Sequence, residues 1–126
     1  MKTETLKTAI HNFLVEILAI AVMSTFKSNS PLDNYTQSIT AAETLRTTIE
    51  SNSFVVDPNL KTNLDNYISV GNNLITKIRS VCMLYADNPA KNFEQLTTEY
   101  SELQQLMAQF PELEEQLLES CRTFKA

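Results

Sequence analysis

Three pairs of carboxylates stand at helical spacing toward the C-terminal end of the sequence: Glu99 with Glu102, Glu112 with Glu115, and Glu115 with Glu119. Residues three or four apart on a helix share a face. Helical bundles that hold Mg²⁺ or a pair of metal ions use carboxylates placed in this way, with a second set facing them from another helix. Here the other segments carry only scattered acids, and the pairs fall on the polar side of their own helix. The expectation is a solvated acidic face, with no metal and no other cofactor.

The remaining reactive side chains narrow the chemistry further. His11 is the only histidine, which excludes a cluster of histidine ligands and leaves one base for any Ser-His-Asp or Cys-His arrangement. It lies beside an apolar stripe, the setting of a packed or partly exposed histidine. Cys82 and Cys121 match neither a zinc spacing nor a CxxC motif. They are expected to be two buried free thiols of a reducing compartment. Glu16 interrupts an apolar run. A buried carboxylate there would have a raised pKa and would suggest a functional site. The helical wheel instead groups it with Thr5 and Asn12, facing outward. The single glycine, Gly71, leaves no glycine-rich loop to cradle a phosphate. No catalytic residue is assigned, and no enzymatic activity is expected.

The charge distribution says more than the net charge of −5. Acids and bases balance over residues 1–91. Residues 92–121 then carry Glu94, Glu99, Glu102, Glu112, Glu114, Glu115 and Glu119 with no Lys or Arg. Such a stretch repels phosphate backbones, and Lys77 with Arg79 is too small a basic cluster to offset it. Nucleic acid is therefore not an expected partner, whereas a protein with a basic surface is compatible.

The elements that must position these groups are helices. Proline follows Ser30, Asp57 and Asn88. Each of those three residue types accepts a bond from the free N–H groups of a first turn, and proline at the first helical position loses no bond. The fold class predicted is all-α: an antiparallel bundle of four to five helices in one domain. Helix starts are placed near Thr3, Pro31, Pro58, Pro89 and Pro111, with Pro111 read as a break because the residue before proline avoids helical angles. Apolar residues recur at three- and four-residue spacing. They predict a core containing Ile10, Phe13, Ile17, Ile39, Leu45, Leu64, Leu74, Ile78, Leu96, Leu103 and Leu117. Phe93, Tyr100 and Met107 fall on the stripe of the fourth helix. Gly71 falls on the third stripe, where it allows a neighbouring helix to approach within a continuous helix. Phe54, Val55 and Val56 are placed in a loop that covers the end of the core.

Residues 13–23 read FLVEILAIAVM. The run is short and interrupted for a membrane span of about 20 residues, so it is taken as part of a mature helix in a cytoplasmic protein. Residues 17–23 are apolar on every side. Such a helix is buried all round, either at the centre of the bundle or under a second chain. Self-association, as a homodimer, is therefore expected through Ile17, Leu18, Ala21 and Val22. The function expected is binding of a protein partner, of the inhibitor, immunity, antitoxin or adaptor kind, through Glu94, Glu99, Glu102, Glu112, Glu115 and Glu119. The alternatives are an assembly subunit that oligomerises through the first helix, and a carboxylate-dependent metal enzyme.

Overall fold

The computed structural model describes residues 2–26, 31–52 and 56–123, with side chains over 4–22, 32–52 and 56–123. It is all-α, and no strand occurs among the described residues. Four helices pack as a bundle: α1 (Lys2–Phe26), α2 (Pro31–Ser51), α3 (Pro58–Asp87) and α4 (Phe93–Arg122). Neighbours in sequence are neighbours in space. α3 and α4 share the most extensive contact, α1 packs on α2, and α2 packs on α3. α1 touches α4 only lightly and makes no close backbone approach to α3. The helices alternate in direction. Going up α3, Asn63 meets Ser120 and Lys77 meets Glu102, whereas Asp65 meets Arg46 and Gly71 meets Ile39.

The core follows the predicted stripes over most of its length. Ile10, Phe13, Ile17, Ile39, Leu45, Leu64, Leu74, Leu103 and Leu117 are all buried. Ile78 and Leu96 are only half-buried. The reason lies in the unequal helix lengths. Above the Ile39–Gly71 contact, α2 ends eight residues on at Pro31, whereas α3 continues sixteen residues to Asp87. The excess is about 12 Å of helix at 1.5 Å per residue. The upper halves of α3 and α4 therefore project beyond α2 as a two-helix arm. No residue of α3 after Ile75, and none of α4 before Leu103, is buried.

Of the predicted helix starts, the one at Pro89 is displaced and the one at Pro111 is absent. α3 does begin as expected: the Asp57 carboxylate accepts the Asn59 N–H at 2.7 Å, with Pro58 in the first turn. Asn88 closes α3, its own N–H donating to the Leu84 carbonyl, and its Oδ1 accepts the Lys91 N–H at 3.0 Å as expected of a cap, but what it caps is a turn and not α4. Residues 89–92 turn, and α4 starts at Phe93. Asn92 fastens this tip, its side-chain amide donating to the Leu84 carbonyl at 3.0 Å and to the Asp87 carboxylate at 3.2 Å. Ser30 lies outside the described residues.

Pro111 does not break the chain either; it sits inside α4. An interior proline removes one backbone bond and costs about 3 kcal/mol. The offset comes from residues seven apart, Leu103, Phe110 and Leu117, which keep one face buried on both sides of the proline. Phe110 stacks on Tyr67 with centroids 4.7 Å apart and meets the edge of Tyr35 at 5.2 Å. This aromatic trio anchors the helix where its own backbone is weakest. α2, rich in threonine and so a weak helix former, is likewise held by packing. Thr36, Thr40, Thr44 and Thr48 each turn their hydroxyl back onto the carbonyl four residues earlier.

Residues 17–22 of α1 are not buried all round. Ile17 is in the core, while Leu18, Ala19, Ala21 and Val22 are exposed. α1 is a side helix of the bundle, so neither a central position nor another described helix covers its outer face. Glu16 points outward as expected, and His11 is exposed. The stretch Glu4–Val22 is long and apolar enough to cross a membrane by length and composition. Its buried residues, Leu6, Ile10, Phe13 and Ile17, form one stripe toward the core. Val56 is half-buried against the core, whereas Phe54 and Val55 lie outside the described residues.

Candidate functional site on the fourth helix

The acidic residues of α4 do not form one open face. Across the α3–α4 seam, the Lys77 ammonium lies 2.7 Å from the Glu99 carboxylate and 2.5 Å from that of Glu102. Hydrogen bonds to Glu102 and then to Glu99 hold the Lys77 pKa above its usual value. Lower down, Arg122 reaches Glu115 at 3.4 Å and Glu119 at 3.8 Å. Glu94 and Glu112 are exposed and enter no ion pair among the described residues. Two of the three carboxylate pairs are thus drawn onto internal cations. Among the described residues, no three His, Cys, Asp or Glu side chains converge as metal ligands would.

Next to the acids is an apolar column that periodicity assigned to the core. Phe93 is 68% exposed, Tyr100 53% and Met107 40%. These three residues are seven apart and line one side of α4. Lower on the helix the same side carries Pro111 and Glu114, which face α1 and α2. On the arm no helix lies over that side among the described residues. Tyr85 of α3, on the same stripe as Gly71 and Ile78, is also exposed, as is Met83. The signal available in the sequence was the mismatch of segment lengths: a 30-residue helix cannot be covered end to end by a 21-residue one.

A second apolar column runs along the outside of α1. Val15, Leu18 and Val22 are all exposed. Of the four residues predicted to self-associate, Leu18, Ala21 and Val22 are on this outer surface. Ile17 points the other way, into the chain's own core.

The clefts differ in chemistry. One, about 850 Å³, is a groove between α1 and α2 with Ala9, Phe13, Ala41 and Leu45 among its lining and threonines along its wall. A second, about 500 Å³, surrounds the Lys77–Glu99–Glu102 cluster. A third, about 420 Å³, opens where α1, α2 and α4 meet near Pro111. Behind it, the Tyr67 side chain is completely buried, with its hydroxyl facing Ser38 and Glu114. Burial, and then the neighbouring Glu114 carboxylate, raise the Tyr67 pKa. Burial likewise lifts the Glu114 carboxyl, an effect opposed by Tyr67. Asn34 also lines this cleft, and its Oδ1 is buried without a partner.

The thiols are both unbridged, but only Cys121 is buried; Cys82 is exposed on the arm. Cys82 lies on the inner stripe of α3 above Ile78, so the shortness of α2 uncovers it too. Burial pushes the Cys121 pKa up to about 11, with Arg122 opposing.

Fold and surface together define an all-α four-helix bundle with an uncovered arm. No known protein family matches the chain, and no curated protein or solved structure shows significant similarity to it.

Proposed function

We propose that the protein is a non-enzymatic protein-binding module that takes a basic amphipathic helix along α4. The observation that carries this reading is the exposed column Phe93, Tyr100 and Met107, beside the outward acids Glu94 and Glu112 on the same helix. Apolar centre and charged rim are the usual anatomy of a protein interface. Aromatic side chains supply the anchors, and complementary charge supplies approach and register. A partner helix with one apolar and one basic stripe matches both columns. Glu99, Glu102, Glu115 and Glu119 belong to the same acidic side but are shared with Lys77 and Arg122. They therefore contribute field more than direct contacts. Inhibitor, immunity, antitoxin and adaptor roles are all consistent with such a surface, and two unbridged thiols suit a cytoplasmic setting.

The test is photo-crosslinking from position 100, followed by affinity measurement on the captured partner. Phe93→Ser with Tyr100→Ser should weaken binding by about tenfold or more. Affinity should also fall between low and physiological salt, because screening shortens the reach of charge to about 8 Å. A partner whose affinity ignores both the substitutions and the salt removes this reading.

The outer column of α1 supports a second reading, a homodimer or assembly subunit joined through Leu18, Val22 and the adjoining Ala21. Leu18 is 64% exposed within an apolar stretch. Sedimentation of the wild type against Leu18→Glu decides it: a shift from dimer to monomer favours assembly, and a monomer in both excludes it.

A further inference from the structure

The upper half of α3 carries a row of residues that protein binding along α4 does not use. Arg79, Met83 and Asp87 stand four apart and so share one side of the helix. The row continues upward from Ile75, which is buried, onto the arm, where all three side chains are exposed. Met83 is 73% exposed, more than any other large apolar side chain among the described residues. Arg79 and Asp87 enter no ion pair among the described residues. The neighbouring row, Ile78, Cys82 and Ala86, is uncharged.

We propose that this row is the contact of a weak symmetric homodimer, in which α3 crosses α3 of a second copy antiparallel, with the two-fold axis at Met83. In a two-fold contact, residue i meets residue j and j meets i. Met83 then meets its own counterpart, and Arg79 of each copy meets Asp87 of the other. Both charges stand four residues from the axis, about 6 Å of helix, so the row is complementary to itself. Rows four apart are also the ridges by which helices most often interlock. A chain of net charge −5 repels its own copy wherever acids meet acids, but this row offers one base for one acid. A different partner would have to bring both signs at this spacing, which a second copy does by identity. The arms point in opposite directions, so the two bundles stand at opposite ends of the contact. Two turns of one helix bury less than the roughly 800 Å² per partner of a standard interface, which makes the dimer a weak one.

The test is sedimentation equilibrium of the full chain from about 10 μM to about 1 mM, the range in which a weak dimer dissociates. The wild type should pass from monomer to dimer across it. Arg79→Glu sets like charges opposite each other twice and should weaken the dimer by about tenfold or more. Asp87→Arg should do the same, and the two variants mixed in equal amounts should associate as the wild type does, because each then supplies the charge the other lacks. Met83→Cys in a Cys82→Ser background should cross-link to itself on mild oxidation, whereas Ser101→Cys, exposed on α4, should not. Thermal melts of each variant establish that the fold is retained. The proposal is overturned if the wild type is monomeric at about 1 mM, if Arg79→Glu associates as the wild type does, or if the mixture stays as weak as its components. A dimer lost in Leu18→Glu and kept in Arg79→Glu belongs to α1 and also overturns it. None of these outcomes touches the reading of α4, whose test uses Phe93 and Tyr100.

Discussion

Ile39 of α2 sits directly over Gly71 of α3. A Cβ at position 71 would overlap Ile39 Cδ1 and stand 2.5 Å from its Cγ1, with Cε2 of Phe110 3.3 Å away. The glycine is there for close approach, and the helix runs through it unbroken. Alanine is the better helix former by about 1 kcal/mol, but overpacking a tight core costs about 1–3 kcal/mol, and Ile39, almost fully buried, has no room to retreat. Gly71→Ala is expected to lower stability by about 1–2 kcal/mol in denaturant unfolding. In a double-mutant cycle the same change should cost less once Ile39→Ala is present. Equal cost in both backgrounds would mean that the clash is elsewhere.

The step from covered bundle to bare arm falls between Leu74 and Ile78. Leu74 is fully buried, and Ile78, one turn higher, is not. Leu74→Ala should cost about 2–5 kcal/mol, the range for a cavity in a closed core. Ile78→Ala should cost less than half as much. Similar losses at both sites would show the arm to be covered in solution.

The two thiols should separate cleanly in a thiol-labelling time course. Cys82, exposed, reacts at once, and Cys121, buried, reacts only as the fold opens. Burial raises the folded pKa of Cys121 from 9.0 to about 11, so the native state keeps a proton that the unfolded chain releases. Stability is therefore full below about pH 9 and falls as pH rises through 11. Cys121→Ala should remove that alkaline slope, and persistence of the slope would assign it to another group.

Glu114 gives the matching effect in acid. Its folded pKa stands above the usual 4.5 because burial disfavours the charge, with Glu115 adding to the rise and Tyr67 opposing it. The protonated form is the better fit, so its contribution is greatest below pH 4.5 and fades as pH rises through the raised value. Glu114→Gln should flatten this part of the stability profile in urea titrations. An unchanged profile would show that Glu114 is solvated.

The helical class, the start of α3 at Pro58 and most of the core were readable from residue type and spacing. The reasons are local: Asp57 caps within two residues, and the period of the stripes is a property of one helix at a time. What failed depended on neighbours. Pro111 was read by its local preference, which the packing of Phe110 and Leu117 overrides. Phe93, Tyr100 and Met107 have a buried periodicity, yet the helix that would bury them ends too soon. Of the acidic residues, all were visible as a charge run, but their division between Lys77, Arg122 and solvent needed the α3–α4 register and the course of the last turn. The unpartnered amide oxygen of Asn34 left no trace in the sequence.

The unequal attachment of the helices sets an order of assembly. α3 and α4 are joined by a turn of a few residues and share the broadest contact, whereas α1 is secured almost entirely by α2. Closing a short loop costs little entropy, and local contacts form early. The C-terminal hairpin is thus the natural nucleus, α2 adds to it, and α1 docks last. In the folded state the sequence runs backwards: amide protons of α1 exchange with solvent first, those around Leu74 and Leu117 last, and the N-terminal helix is the latch on a structure already closed beneath it.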